Sequence, residues 1–345
     1  MTATVPTTIR LAATAAAALL LTGCGGTARP ATSSTPAGAP TWTTGPAAQT
    51  TLATLATPAG RVRPRIQVLP YRLPQALSRE AVAPLSGSRV VIAGGLLPGD
   101  HSLADAYGLD LATGRLTRRP ALPVAVHDTA GTTIAGTTFV VGGGNASEQS
   151  VVQASTGAGW KIVGHLPQAR SDLTVVGAGG GMLALGGYNG SRPAEPDILA
   201  STDGRAWHTI GHLPVPVRYA ASAVADGSVW LFGGEVGGVM QTAVQRIDPT
   251  TGKAQVVAHL PVRIGHTMAM PFGSRILLVG GRSDPNTPLS TMWWFDPASG
   301  RFTAAGRLPM PLADAGVAEV GSTAYLIGGE SPAMTDRVLQ VSAGN

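Results

Sequence analysis

Six Gly-Gly pairs divide the chain into nearly equal lengths. They stand at Gly94-Gly95, Gly142-Gly143, Gly186-Gly187, Gly233-Gly234, Gly280-Gly281 and Gly328-Gly329, with steps of 48, 44, 47, 47 and 48 residues. A period of this size marks one supersecondary unit stacked on copies of itself. Two further landmarks hold the same phase. A Leu-Pro dipeptide begins 20 residues before each later pair, at Leu122, Leu166, Leu213, Leu260 and Leu308, and 21 before the first, at Leu73. A single Gly lies six or seven residues ahead of every pair, from Gly87 to Gly321.

The segments between these landmarks read as strands. The runs at 90–93, 139–141, 183–185, 230–232, 276–279 and 324–327 are apolar without alternation, so both faces of each strand are expected to be buried. The strands before them are rich in small residues, as in Ala220-Ala221-Ser222-Ala223 and Ala315-Gly316-Val317-Ala318, which suits a crowded central axis. An apolar run, a Gly pair, a strand ending near Asp and often a following aromatic together resemble Kelch repeats. Residues 263–281, continuing to Phe295-Asp296-Pro297, resemble them best. The resemblance covers residues 65–345 and implies an all-β, six-bladed Kelch-type β-propeller with four-stranded blades. After Gly328-Gly329 only residues 335–341 can supply a third strand, so the sixth blade lacks an outer one. Arg65-Ile66-Gln67-Val68 is expected to cross over and complete it, closing the ring and covering an open edge.

Residues 1–23 read as a signal peptide, with Arg10 ahead of an apolar stretch at 11–21. The stretch ends in Leu21-Thr22-Gly23-Cys24, which resembles the bacterial lipobox. Cys24 is the only cysteine, so it is expected to carry a diacylglyceryl anchor, and no intrachain disulfide can form. Residues 24–64 are then a lipidated Thr/Ala/Pro-rich tether too poor in apolar groups to bury a core. These features imply an exported lipoprotein on the extracytoplasmic face of a bacterial membrane, reaching the membrane through its lipid alone. The net charge is +5, with only two lysines and no basic run interleaved with aromatics, which gives no footprint for nucleic acid. A monomer is expected.

Fourteen residues before the Gly pairs stand Glu80, Asp128, Asp172, Tyr219, His266 and Asp314. Arg79 and Arg218 lie one position earlier, Arg170 two and Arg263 three. These residues predict a mixed acidic and Arg collar at the channel mouth. The collar is read as a ligand site for an acidic sugar or similar anion, or as side chains that satisfy loop backbone and one another. Polar loops at Asp100-His101, 145–148, 188–192, Glu235, 282–286 and Glu330 fall on the same face. His165, His212 and His259 recur at one place in three blades and are expected to be structural.

No catalytic, cofactor or metal residue is assigned. The expected function is a non-catalytic binding or scaffold module for a protein or carbohydrate partner on the loop face. The alternative is a carbohydrate-active enzyme resembling sialic-acid mutarotases, on LIGGE followed by TDRVL at 326–339. Galactose oxidase-like chemistry is excluded, because that resemblance would require a Cys-Tyr crosslink and Cys24 is the only cysteine.

Overall fold

A computed structural model describes residues 63–344. The expected signal peptide, Cys24 and nearly all of the tether lie outside the described residues.

Six four-stranded antiparallel sheets follow one another along the chain. Their inner strands are Ala81–Pro84, Ala130–Ile134, Thr174–Ala178, Ala221–Ala225, Met268–Phe272 and Gly316–Val320. The second strand of each sheet is the apolar run ahead of a Gly pair, and all five residues of Gly181–Leu185 and Ser228–Phe232 are buried. The core lies between sheets. Trp230 and Phe232 of the fourth blade pack edge-on against Phe295 of the fifth, with both centroid distances 5.3 Å. Burial of both strand faces follows from each sheet being flanked by two others.

The sixth blade closes as expected. Arg65–Arg72 pairs antiparallel with Arg337–Ser342, in the register Arg65 to Ser342, Ile66 to Val341 and Val68 to Leu339. The third strand of this blade starts two residues later than the sequence suggested. Thr335 is held in a turn, its N–H donating to Gly329 O at 2.8 Å and its hydroxyl accepting from Arg337 N–H at 3.2 Å. Three short ribbons rise between second and third strands, at Leu96–Leu97 with His101–Ser102, Glu235–Val236 with Val239–Met240, and Glu330–Ser331 with Ala333–Met334.

The Gly pairs hold neighbouring blades together. The second Gly of every pair donates its N–H to a carbonyl in the loop leading into the next blade: Gly95 to Val126 and Gly281 to Leu312 at 2.8 Å, Gly143 to Arg170 and Gly187 to Val217 at 2.9 Å. Gly234 meets Ile264 at 2.9 Å, and Gly329 meets Leu77 at 2.8 Å across the closure. The first Gly has φ between +58° and +68°, which lets the chain pass close under the same carbonyl. A Cβ on Gly94 would stand 2.6 Å from Val126 O. Gly94→Ala therefore combines a left-handed backbone with a collision against backbone. It should cost about 2–4 kcal/mol in a denaturant titration, whereas Gly87→Ala, in a turn with open space around it, should cost less.

Candidate functional site

At the mouth of the channel, one residue per blade turns the incoming loop into the inner strand. These are Arg79, Asp128, Asp172, Tyr219, His266 and Asp314, with φ of +59°, +48°, +58°, +52°, +54° and +54°. Asp and His are among the non-Gly residues that tolerate this left-handed region best, so the acid recurring in the sequence has a backbone cause. Each residue from Asp172 onward donates its N–H to the carbonyl of its predecessor in the ring. Asp172 reaches Asp128 at 2.9 Å, Tyr219 reaches Asp172 at 3.0 Å, His266 reaches Tyr219 at 2.9 Å and Asp314 reaches His266 at 3.1 Å. Arg79 then reaches Asp314 at 3.2 Å, across the closure.

The side chains above this ring form one run of alternating charge. Asp128 Oδ2 meets Arg79 Nη1 at 3.4 Å, and Arg79 Nε meets Glu330 Oε1 at 3.1 Å. Glu330 also binds Arg282, whose guanidinium meets Asp314 Oδ2 at 3.3 Å. Asp314 Oδ1 lies 2.6 Å from His266 Nδ1, and His266 Nε2 lies 3.5 Å from Glu235 Oε2. Glu235 binds Arg218, which reaches Asp172 Oδ2 at 3.3 Å. The ring of His266 stacks on Tyr219 with centroids 4.0 Å apart, and Arg79 and Arg218 both lie over the Tyr219 ring.

Alternation sets the protonation states. Burial pulls His266 down, but Asp314 and Glu235 outweigh it and raise it to about 9, so it is an imidazolium at neutral pH. The His266 hydrogen bond is the largest influence on Glu235, which is held at about 2. The run begins and ends on carboxylates in adjacent blades, Asp128 and Asp172. Burial first, then the neighbouring Asp128 charge, push Asp172 up to about 7 against the pull of Arg218. Burial likewise pushes Asp128 above the usual carboxylate range despite Arg79. Both ends are thus easier to protonate than ordinary carboxylates, and Asp128 Oδ1 has no hydrogen-bond partner among the described residues.

A pocket of about 160 Å³ lies within the ring. Its floor is a second ring, one residue further along each blade: Glu80, Thr129, Leu173, Ala220, Thr267 and Ala315. The same six residues form the neck of a channel cavity of about 490 Å³ between the inner strands. Burial raises the Glu80 carboxyl to about 8.

The structure rearranges the expected collar. Glu80 belongs to the second ring and Arg79 to the first, because the extra residue between Leu73 and Gly94 shifts the first blade by one. Arg170 is fully buried away from the pocket, 3.8 Å from Glu195 and bonded to Gly186 O at 3.1 Å. Arg263 bonds Met240 O at 3.2 Å and does not line the pocket. The charge run is completed instead by Glu235, Arg282 and Glu330, each the residue immediately after a Gly pair and bridged to the residue ahead of the ring position. The Gly-pair phase held that column too, one step on the other side of the landmark. His165, His212 and His259 each bond a side chain of their own blade, Ser150, Asp197 and Thr242.

Fold and mouth together define a Kelch-type six-bladed β-propeller with a charged axial pocket, and residues 270–309 match the family profile for the Kelch motif. The solved structure entitled "Structure of YjhT" superposes with a TM-score of 0.69 at 18% identity, covering 80% of this chain and 99% of that one. That likeness is one of fold. A 59-residue stretch is 37% identical to N-acetylneuraminate epimerase of Pasteurella multocida (strain Pm70), spanning 16% of this chain and 16% of the relative. This match corrects the expectation of a non-catalytic binding or scaffold module, since the relative is an enzyme by name, and it favours the alternative reading.

The buried carboxyl of Glu80 has a signature in stability. Its folded value of about 8 lies above the ordinary 4.5, so the folded state holds a proton that the unfolded state has lost between those values. Stability contributed by this group falls as pH rises through that window. Glu80→Gln should be more stable than the wild type by a few kcal/mol at pH 9, with the difference fading toward pH 4.5. Thermal unfolding across this range checks both the size and the direction.

Proposed function

We propose that this propeller interconverts the anomers of an acidic sugar of the sialic-acid class in the pocket at its mouth. The observation that carries the reading is the break in the charge run between Asp128 and Asp172, with a guanidinium on either side. The epimerase named among the relatives and the sequence resemblance to sialic-acid mutarotases support it.

Opening a cyclic sugar requires a base at the anomeric hydroxyl and an acid at the ring oxygen. Asp128 offers the base through its unpartnered Oδ1, and Asp172, raised to about 7, offers the acid. As Asp128 takes the hydroxyl proton, the ring C–O bond breaks, a carbonyl forms and the ring oxygen takes the proton of Asp172. Rotation about the adjacent C–C bond and reversal of the same transfers close the other anomer and restore both carboxyls. Arg79 and Arg218 present the planar fork that binds a sugar carboxylate. Their present carboxylate partners in the ring would exchange for that of the sugar.

The active form carries one proton on the pair, so anomer exchange followed by NMR should give a bell-shaped pH profile. Its alkaline limb should fall near pH 7, where Asp172 loses the proton. Asp172→Asn should lower the rate about 100-fold and remove that limb. Exchange of N-acetylneuraminate anomers no faster than in buffer would end this reading.

We also place the site outside the cytoplasm, on a lipid anchor at Cys24, from the Leu21-Thr22-Gly23-Cys24 motif alone. Cys24→Ser should move the protein from the membrane fraction to the soluble fraction or halt its processing, and unchanged partition with unchanged mass would count against lipidation.

A further inference from the structure

The second ring contains one group whose chemistry the first ring does not use. Three of its members, Leu173, Ala220 and Ala315, offer no polar side-chain atom. Thr129 and Thr267 direct their hydroxyls into their own blades, donating to Val141 O at 3.0 Å and Val279 O at 2.9 Å. Glu80 differs. Its Oε1 accepts the Gly316 N–H at 3.2 Å, which fixes the carboxyl across the boundary between the first and sixth blades. Its Oε2 is fully enclosed and has no hydrogen-bond partner among the described residues. An enclosed carboxyl oxygen without a partner costs stability unless something binds it.

Position gives that oxygen a use. Glu80 lines both the pocket of the mouth and the channel cavity beneath it. The cavity walls around and below it include Val82, Gly131, Ala221 and Gly316, with Met268 and Glu319 also lining it, and they leave room for a chain of a few atoms. A sugar whose ring sat among the first-ring residues, with its carboxylate on the arginines, would extend inward through the neck that Glu80 lines.

We infer that Glu80 is a specificity residue, whose carboxyl turns its enclosed Oε2 onto a hydroxyl of a side arm that the sugar passes from the mouth into the channel. The selected substrates are acidic sugars bearing a hydroxylated arm, in preference to hexuronic acids, which lack one. Burial keeps the Glu80 carboxyl protonated at neutral pH, so it can both donate to and accept from such a hydroxyl. This inference rests on the acidic-sugar reading of the same pocket, and its test is kept separate by measuring binding rather than turnover.

N-acetylneuraminate, which carries a hydroxylated three-carbon arm, and galacturonate, which carries none, are each titrated calorimetrically into the wild-type protein, Glu80→Gln and Glu80→Ala at pH 7. The wild type should prefer N-acetylneuraminate. In Glu80→Ala the ratio of the two affinities should fall about tenfold, the size of one lost hydrogen bond. Glu80→Gln keeps a donor and an acceptor and should restore most of the ratio. Should Glu80→Ala, shown folded by its melting transition, keep the wild-type ratio, the inference is overturned. A wild type that binds neither acid, or binds both equally, overturns it as well. Preferential binding that depends on Glu80, without anomer exchange, would uphold the subsite and refute the catalytic reading.

Discussion

The structure depends on backbone hydrogen bonds that run from blade to blade rather than within blades. A sheet can satisfy its own interior ladder, but the loops that enter and leave it cannot. Here the second Gly of each pair donates to the loop of the next blade, and the mouth residues donate to one another around the axis. Both contacts require positive φ, and both lie where the hydrophobic contact between sheets ends. The same turns that fix the spacing of the blades also aim six side chains at one point. Site geometry and ring geometry are thus one set of constraints.

That coupling explains what the sequence disclosed. The period, the apolar runs and the Gly pairs are direct records of strand burial and close backbone approach, so the architecture was legible, including the crossing of Arg65-Ile66-Gln67-Val68 to the last blade. The ring of Asp128, Asp172, Tyr219, His266 and Asp314 was legible because its φ restricts the residues allowed there. Two kinds of information were missing. One inserted residue before Gly94 moved Glu80 out of the first ring and put Arg79 in, a shift invisible when counting back from the Gly pair. Side-chain direction was the other: Arg170 and Arg263 were close in sequence to the ring but turn toward buried carbonyls, while Arg282 and Glu330 reach in from loops across the Gly pair.

The charges at the mouth are concentrated yet nearly balanced. Each interior member of the run touches opposite charges on both sides, a situation in which removing one partner strands the other. His266 has no chemistry of its own in this arrangement; its imidazolium carries the alternation from Asp314 to Glu235. The carboxylates at the two ends each have one Arg partner, with His127 Nε2 also 3.5 Å from Asp128, and they lie in adjacent blades where burial makes both easier to protonate. Reactivity in such a network is located by where the pattern stops.

Closure through Arg65–Arg72 bears on how the chain comes to be folded. Arg72 and Asp336, which meet in an ion pair beside the closing strands, are 264 residues apart. On a ribosome the first strand emerges long before its partner exists, and every intervening blade can form while the ring stays open. The final pairing is a contact of very high sequence separation, made only after the loop-closure entropy of nearly the whole domain has been met. Until then two sheet edges and the gap between the first and sixth blades remain uncovered. The mouth pocket is incomplete for the same interval, because Arg79 finds Asp314 and Glu330 only when the sixth blade arrives. Assembly of the site is therefore the last event in the maturation of the domain, and a chain that stalls before it presents adhesive strands but no pocket.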